Sequence, residues 1–139
     1  MWWTYALLSA VFAALTAILA KVGVKGIDSN VATAVRTSVV LLLAWSVVAF
    51  QGNLGAVAAI SRSSLGFLVL SALATGASWL FYFKALQLGP ASLVSALDKS
   101  SLALTIILAA LFLGETLTVR TALGCALIIA GTAVIAWPA

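Results

Sequence analysis

Five separate stretches of this chain are apolar over close to the ~20 residues that an α-helix needs to cross a bilayer core. They fall at 3–20, 31–50, 65–83, 91–113 and 119–137. Hydrocarbon offers the backbone no water, so a spanning segment must satisfy its own N–H and C=O groups, as a helix does. The expectation is an all-α integral membrane protein with five transmembrane helices, occupying all 139 residues as a single transmembrane domain.

Composition agrees. Of the residues, 65% are hydrophobic and 7% charged, against about 25% charged in a soluble domain. Lipid must therefore solvate most of the exterior. The net charge of +4 comes from basic residues scattered among apolar runs and forms no phosphate-tracking patch, so nucleic acid is not an expected partner. There is no histidine and a single cysteine, Cys125. This excludes a disulfide within the chain and a Cys/His metal cluster, and no metal or cofactor is expected. Cys125 lies in an apolar run and reads as a small packing residue. The opening Met-Trp-Trp-Thr-Tyr carries no Lys or Arg before the first apolar stretch, so that stretch is expected to be a retained membrane helix and not a signal peptide.

The punctuation fits the spans. Asp28-Ser29-Asn30 supplies N-caps for the second helix, and Ser61, Ser63 and Ser64 for the third. Gly89-Pro90 joins a helix-ending glycine to a proline suited to the first turn of the fourth. Trp2, Trp3 and Trp137 are placed as interfacial anchors. In the longest connection, 51–64, Leu54, Val57 and Ile60 recur at threefold spacing, which fits either a short interfacial helix or a plain loop. A shift of 62 residues lays the first hairpin on the second, Ser9-Ala10 on Ser71-Ala72 and Arg36 on Asp98. On these few identities the architecture is two two-helix repeats plus a C-terminal packing helix.

Asp98-Lys99 interrupts the fourth span. One charge at membrane depth costs roughly 2.5–3.5 kcal/mol on insertion scales, so a partner charge or a wet cavity must offset it. Arg36 lies at similar depth in the second span, and the expected ion pair is Arg36 with Asp98. Neighbours on a helix point about 100° apart, so Asp98 and Lys99 are not expected to be each other's main partner. Lys99 either snorkels to the near interface or faces a cavity. Hydroxyl stripes support a lined cavity. Ser71, Thr75, Ser78 and Tyr82 share one face of the third helix, bordered by Trp79. Tyr5, Ser9 and Thr16 share a face of the first. On the fourth, Ser92, Ser95 and Lys99 share one face while Asp98, Ser101 and Thr105 share another. The plainer account of each hydroxyl is interhelical hydrogen bonding, and of the charges an ion network that locks helices together. In the fifth helix Ala122, Ala126 and Ala130, with Gly124 and Gly131, form a ladder of small residues for subunit or helix packing. Glu115 reads as a solvated end residue or a partner of Arg120.

Three stretches resemble the EamA family of the drug/metabolite transporter superfamily: Ala85-Leu86-Gln87-Leu88-Gly89-Pro90-Ala91, Leu113-Gly114-Glu115-Thr116-Leu117-Thr118, and Gly124 with Ala130-Gly131. The likeness covers the whole chain as one five-helix unit. Most such relatives carry two units in inverted orientation. The resemblance therefore implies a dimer, an antiparallel homodimer or a heterodimer with a related unit, that moves a small-molecule substrate by alternating access and uses the fifth helix as its interface. Small multidrug resistance proteins rely on a deep glutamate in their first helix. This chain has no acidic residue there, which argues against export of lipophilic cations by that route. The cationic excess of Arg36 and Lys99 over Asp98 favours substrates with an anionic or zwitterionic end.

Outside the deep charges, one side carries Lys21, Lys25 and Lys84 and the other Arg62 and Arg120. So even a balance leans toward a cytoplasmic C-terminus while leaving dual topology open. The expected location is the cytoplasmic (inner) membrane. No G-x-x-x-x-G-K-[ST] loop is present, so the leading reading is a secondary transporter and not an ATP-driven pump. The alternative is a non-transporting scaffold or accessory subunit. An enzyme is not expected: histidine is absent and no acid pair flanks a nucleophile.

Overall fold

A computed structural model of the protein describes residues 1–137. It is helical throughout, with no strand among the described residues. The elements are α1 (Trp2–Gly23), α2 (Ser29–Phe50), a 3-10 helix (Leu54–Ala59), α3 (Arg62–Leu88), α4 (Ala91–Asp98), α5 (Ser101–Phe112) and α6 (Val119–Ala136). Five segments are long and apolar enough to cross a membrane: α1, α2, α3, the α4–α5 pair and α6. Large apolar side chains such as Leu42, Phe67 and Leu127 stand exposed along them. That is the surface expected when lipid tails, as apolar as the side chains themselves, are the solvent.

Helix ends follow local chemistry. The Asp28 carboxylate accepts from the Asn30 and Val31 amides and caps α2. Ser61 Oγ accepts from the Ser64 amide and opens α3, and Thr118 does the same for α6 through the Thr121 amide. Pro90 sits one position earlier than expected. It is the N-cap of α4, with extended backbone, and Ala91 takes the first helical place.

The helical segments also exceed the apolar runs. α1 continues past Ala20 to Gly23, and α3 begins at Arg62 and passes Lys84 to end at Leu88. Backbone bonding does not stop where hydropathy falls; α3 continues until Gly89-Pro90 forbids another turn. The 51–64 connection holds a 3-10 helix. In that geometry residues three apart eclipse, which accounts for the threefold spacing of Leu54 and Val57.

The fourth span departs most from the expected single helix. α4 ends at Asp98 and α5 starts at Ser101. At the break the amides of Ser100, Leu102 and Ala103 bond three residues back, to Leu97, Lys99 and Ser100, in place of the α-helical four. The interruption falls on Asp98-Lys99-Ser100-Ser101, where Asp and Ser are weak helix formers.

The chain forms two compact units. One comprises Ile18–Leu88. Its core lies where the α1–α2 turn meets the end of α3, and it buries Val24, Ala32, Phe83 and Leu86 with Ser29 and Thr33. The turn is tied down by polar contacts. Lys21 Nζ donates to the Leu86 carbonyl, and Gln87 Nε2 donates to the carbonyls of Ile27 (2.6 Å) and Val24 (3.4 Å). Gly26 turns the chain there at φ 77°, a left-handed conformation that favours glycine. The other unit holds Met1–Ala17 and the chain from Gly89 on. In it α4 and α5 both pack on α6, against a face that buries Thr132 and half-buries Cys125.

Candidate functional site

Arg36 stands two turns past the start of α2, about 10 Å along the helix axis. Trp79 and Phe83 are spaced i and i+4 on α3 and so share one face. The Gln87–Ile27 bond fixes the end of α3 against the entry to α2, which brings these residues level. The guanidinium carbon of Arg36 lies 4.2 Å from the Trp79 ring centroid and 5.6 Å from that of Phe83. A cation on an aromatic face gains about 0.5–1 kcal/mol when exposed and about 2 kcal/mol when desolvated, and half-buried Arg36 falls between these. Stacking engages the ring faces and does not answer the N–H donors in the plane of the guanidinium. Nη1 is buried and has no hydrogen-bond partner. The neighbouring hydroxyls do not help: Thr33 donates to the Ser29 carbonyl (2.8 Å) and Thr37 to that of Thr33 (2.7 Å).

The two charges in the fourth span contact each other, against the expectation for neighbours on a helix. Lys99 Nζ lies 3.8 Å from Asp98 Oδ2. The two residues still diverge by about 100°, since Asp98 is helical and Lys99 keeps helical backbone angles (φ −67°, ψ −12°); the long, flexible lysine stem spans the gap. Both side chains are exposed, 62% for Lys99 and 41% for Asp98, so the contact is a loose one. Arg36 is held by its aromatic shelf and makes no ion pair among the described residues. The break also divides the two polar faces proposed for the fourth span, because Ser92 and Ser95 lie in α4 and Ser101 and Thr105 in α5.

The other expected site residues are placed as follows. On α3, Ser71, Thr75 and Ser78 are exposed, Trp79 and Tyr82 half-buried. Thr75 Oγ1 donates to the Ser71 carbonyl at 2.9 Å. On α1, Ser9 is exposed and Thr16 half-buried. On α6, Ala122, Gly124, Ala126, Ala130 and Gly131 are exposed, and a Cβ added at either glycine would meet open space. Sequence reasoning missed Phe83, the second wall of the Arg36 site. Its signal was available, an aromatic four residues after Trp79. It also missed the tethering roles of Lys21 and Gln87, which depend on a turn geometry that no spacing reveals.

Comparison with known proteins agrees with this architecture. The model of the EamA-like transporter family matches residues 1–137. A Sinorhizobium protein described as an uncharacterized transporter in the cobO 3' region is 50% identical over 135 residues, covering 97% of this chain and 96% of that protein. No solved structure matches the chain. The protein is thus a multi-pass membrane protein belonging to the EamA-like transporter family.

Proposed function

We propose that the chain is a secondary carrier of small organic solutes or metabolites in the cytoplasmic membrane, working by alternating access as a dimer of five-helix units. The observation that carries this reading is Arg36: a permanent cation in a membrane-spanning helix, half-buried on two aromatic rings with a donor left open. Ionisable groups at such depth are costly and are retained for function. The loose Asp98–Lys99 pair at the interruption of the fourth span supports the same reading, since broken helices in carriers line the solute path. Within the Ile18–Leu88 unit that holds Arg36 we place Ser71, Thr75, Ser78, Trp79 and Tyr82 as polar and aromatic lining, and within the other unit Ser9 and Thr16. The small-residue ladder of α6, exposed and with open space at Gly124 and Gly131, is the proposed contact with a second copy or a related unit.

Uptake and counterflow in proteoliposomes test the carrier role. A panel of amino acids, organic acids and amphiphilic cations should yield at least one solute with saturable flux, and Arg36→Ala and Asp98→Ala should each reduce it. A protein that assembles but moves no member of the panel would be read as a scaffold. Reporters fused to the C-terminus, each active on one side of the membrane, test the antiparallel dimer. A signal from one side alone rules out an antiparallel homodimer.

A further inference from the structure

We propose that the Arg36 guanidinium, shelved on Trp79 and Phe83, is the docking point for a carboxylate group of the transported solute. This rests on the carrier reading and narrows it to carboxylate-bearing solutes. The argument begins with what the shelf satisfies. Stacking engages the faces of the planar cation, while its five N–H donors lie in the plane. The chain leaves that edge short of acceptors. Nη1 is sealed from solvent without a partner, the hydroxyls of Thr33 and Thr37 are spent on helix carbonyls, and no ion pair to Arg36 exists among the described residues. Buried donors of a charged group are costly to leave unmade, more so than those of neutral groups. The missing element is an oxygen acceptor that also carries negative charge.

Shape and charge select the carboxylate. Two coplanar oxygens match the guanidinium fork and give parallel charge-assisted bonds. The cation carries a single charge, and a monoanion neutralises it, whereas a phosphate dianion would bring an uncompensated charge into a low-dielectric site. The ammonium of Lys21 is engaged with the Leu86 carbonyl at the helix end. The stacked geometry also holds the fork before a ligand arrives, so less freedom is lost on binding. Lysine in place of Arg36 would keep the charge and lose both the stacking and the fork.

The test uses the full chain purified in dodecyl maltoside, a phosphate-free detergent, and reads thermal unfolding as ligand is titrated. The probes are matched pairs: acetate and acetamide, benzoate and benzamide, phenylalanine and phenylalaninamide. At least one carboxylate should raise the unfolding temperature while its amide does not. In Arg36→Gln the apparent affinity should fall about tenfold or more, and Arg36→Lys should retain only part of the preference. Should Arg36→Gln fail to fold, the wild-type pairs and Arg36→Lys still decide. Amides as effective as their acids, or a preference that survives in Arg36→Gln, would overturn the proposal. So would Arg36-dependent stabilisation by lysophosphatidylglycerol with none by any carboxylate, which would assign the anion to a lipid headgroup. Flux separates this from the carrier reading. Transport of neutral solutes alone would defeat the carboxylate site and leave a carrier. Carboxylate binding without flux of any solute would do the reverse.

Discussion

The side-chain amide of Gln87 reaches from the end of α3 to the main chain of the α1–α2 turn, 2.6 Å from the Ile27 carbonyl oxygen. With its longer contact to Val24 it bridges two acceptors that follow the end of α1 and precede the cap of α2. With the Lys21–Leu86 contact it helps to set the level of α3 against α2, and so the level of Trp79 and Phe83 against Arg36.

Gln87→Ala should therefore loosen the turn locally. Loss of a hydrogen bond of this kind costs about 0.5–1.5 kcal/mol. Amide hydrogen exchange of residues 24–31 should accelerate, while α6 stays as protected as before. Unchanged exchange in the turn would mean that Lys21 and the buried apolar contacts hold it alone.

Leu86 is fully buried, 0% exposed, whereas Leu88 two positions on is 79% exposed. In a membrane protein the transfer part of a Leu→Ala loss largely cancels, because lipid is as apolar as the core. What remains is the cavity. Leu86→Ala should cost about 2 kcal/mol, the low end of the range for buried leucines, and Leu88→Ala much less. Unfolding of the two variants in mild detergent compares them, and equal losses would refute the placement of the core.

The spans and their caps were legible because each follows from a local rule. Twenty apolar residues define a span, and Asp28 or Ser61 caps a helix through atoms two or three residues away. Hydropathy could not reveal that α3 continues through Lys84 to Leu88, since hydrogen-bond continuity sets a helix end and polarity does not. The Arg36 site was half legible. Arg36 and Trp79 stood out by charge and by position beside a polar stripe, yet their contact depends on the rotation of α2 and α3 about their axes. The Asp98–Lys99 contact was not legible for a different reason: helical geometry points the two Cβ atoms apart, and the reach of a flexible lysine stem closes the gap to 3.8 Å.

Gly26 and Gly23 give opposite expectations for the same substitution. Gly26 has φ 77°, where an L side chain costs about 1–2 kcal/mol. Gly23 is the last residue of α1, and an added Cβ meets nothing within 4 Å. Gly26→Ala should lower the unfolding temperature and Gly23→Ala should leave it level or raise it slightly. Equal behaviour would contradict the left-handed turn between α1 and α2.

The interruption between α4 and α5 makes a prediction about motion. Amides of Ser100, Leu102 and Ala103 close three-residue turns, whose geometry is poorer than that of α-helical bonds. They lie beside a pair of exposed charges, Asp98 and Lys99. These amides should exchange faster than those of Ile106 to Leu108 within α5, in detergent and in bilayers alike. Replacing Lys99 and Ser100 by leucine removes one of the two charges and puts a strong helix former in place of Ser100. Exchange at Leu102 and Ala103 should then slow toward that of α5. A carrier whose fourth span must flex there would also lose turnover while still binding its solute, a drop in maximal flux at unchanged apparent affinity. Uniform protection along 91–112 in the unmodified chain would show that the break does not open.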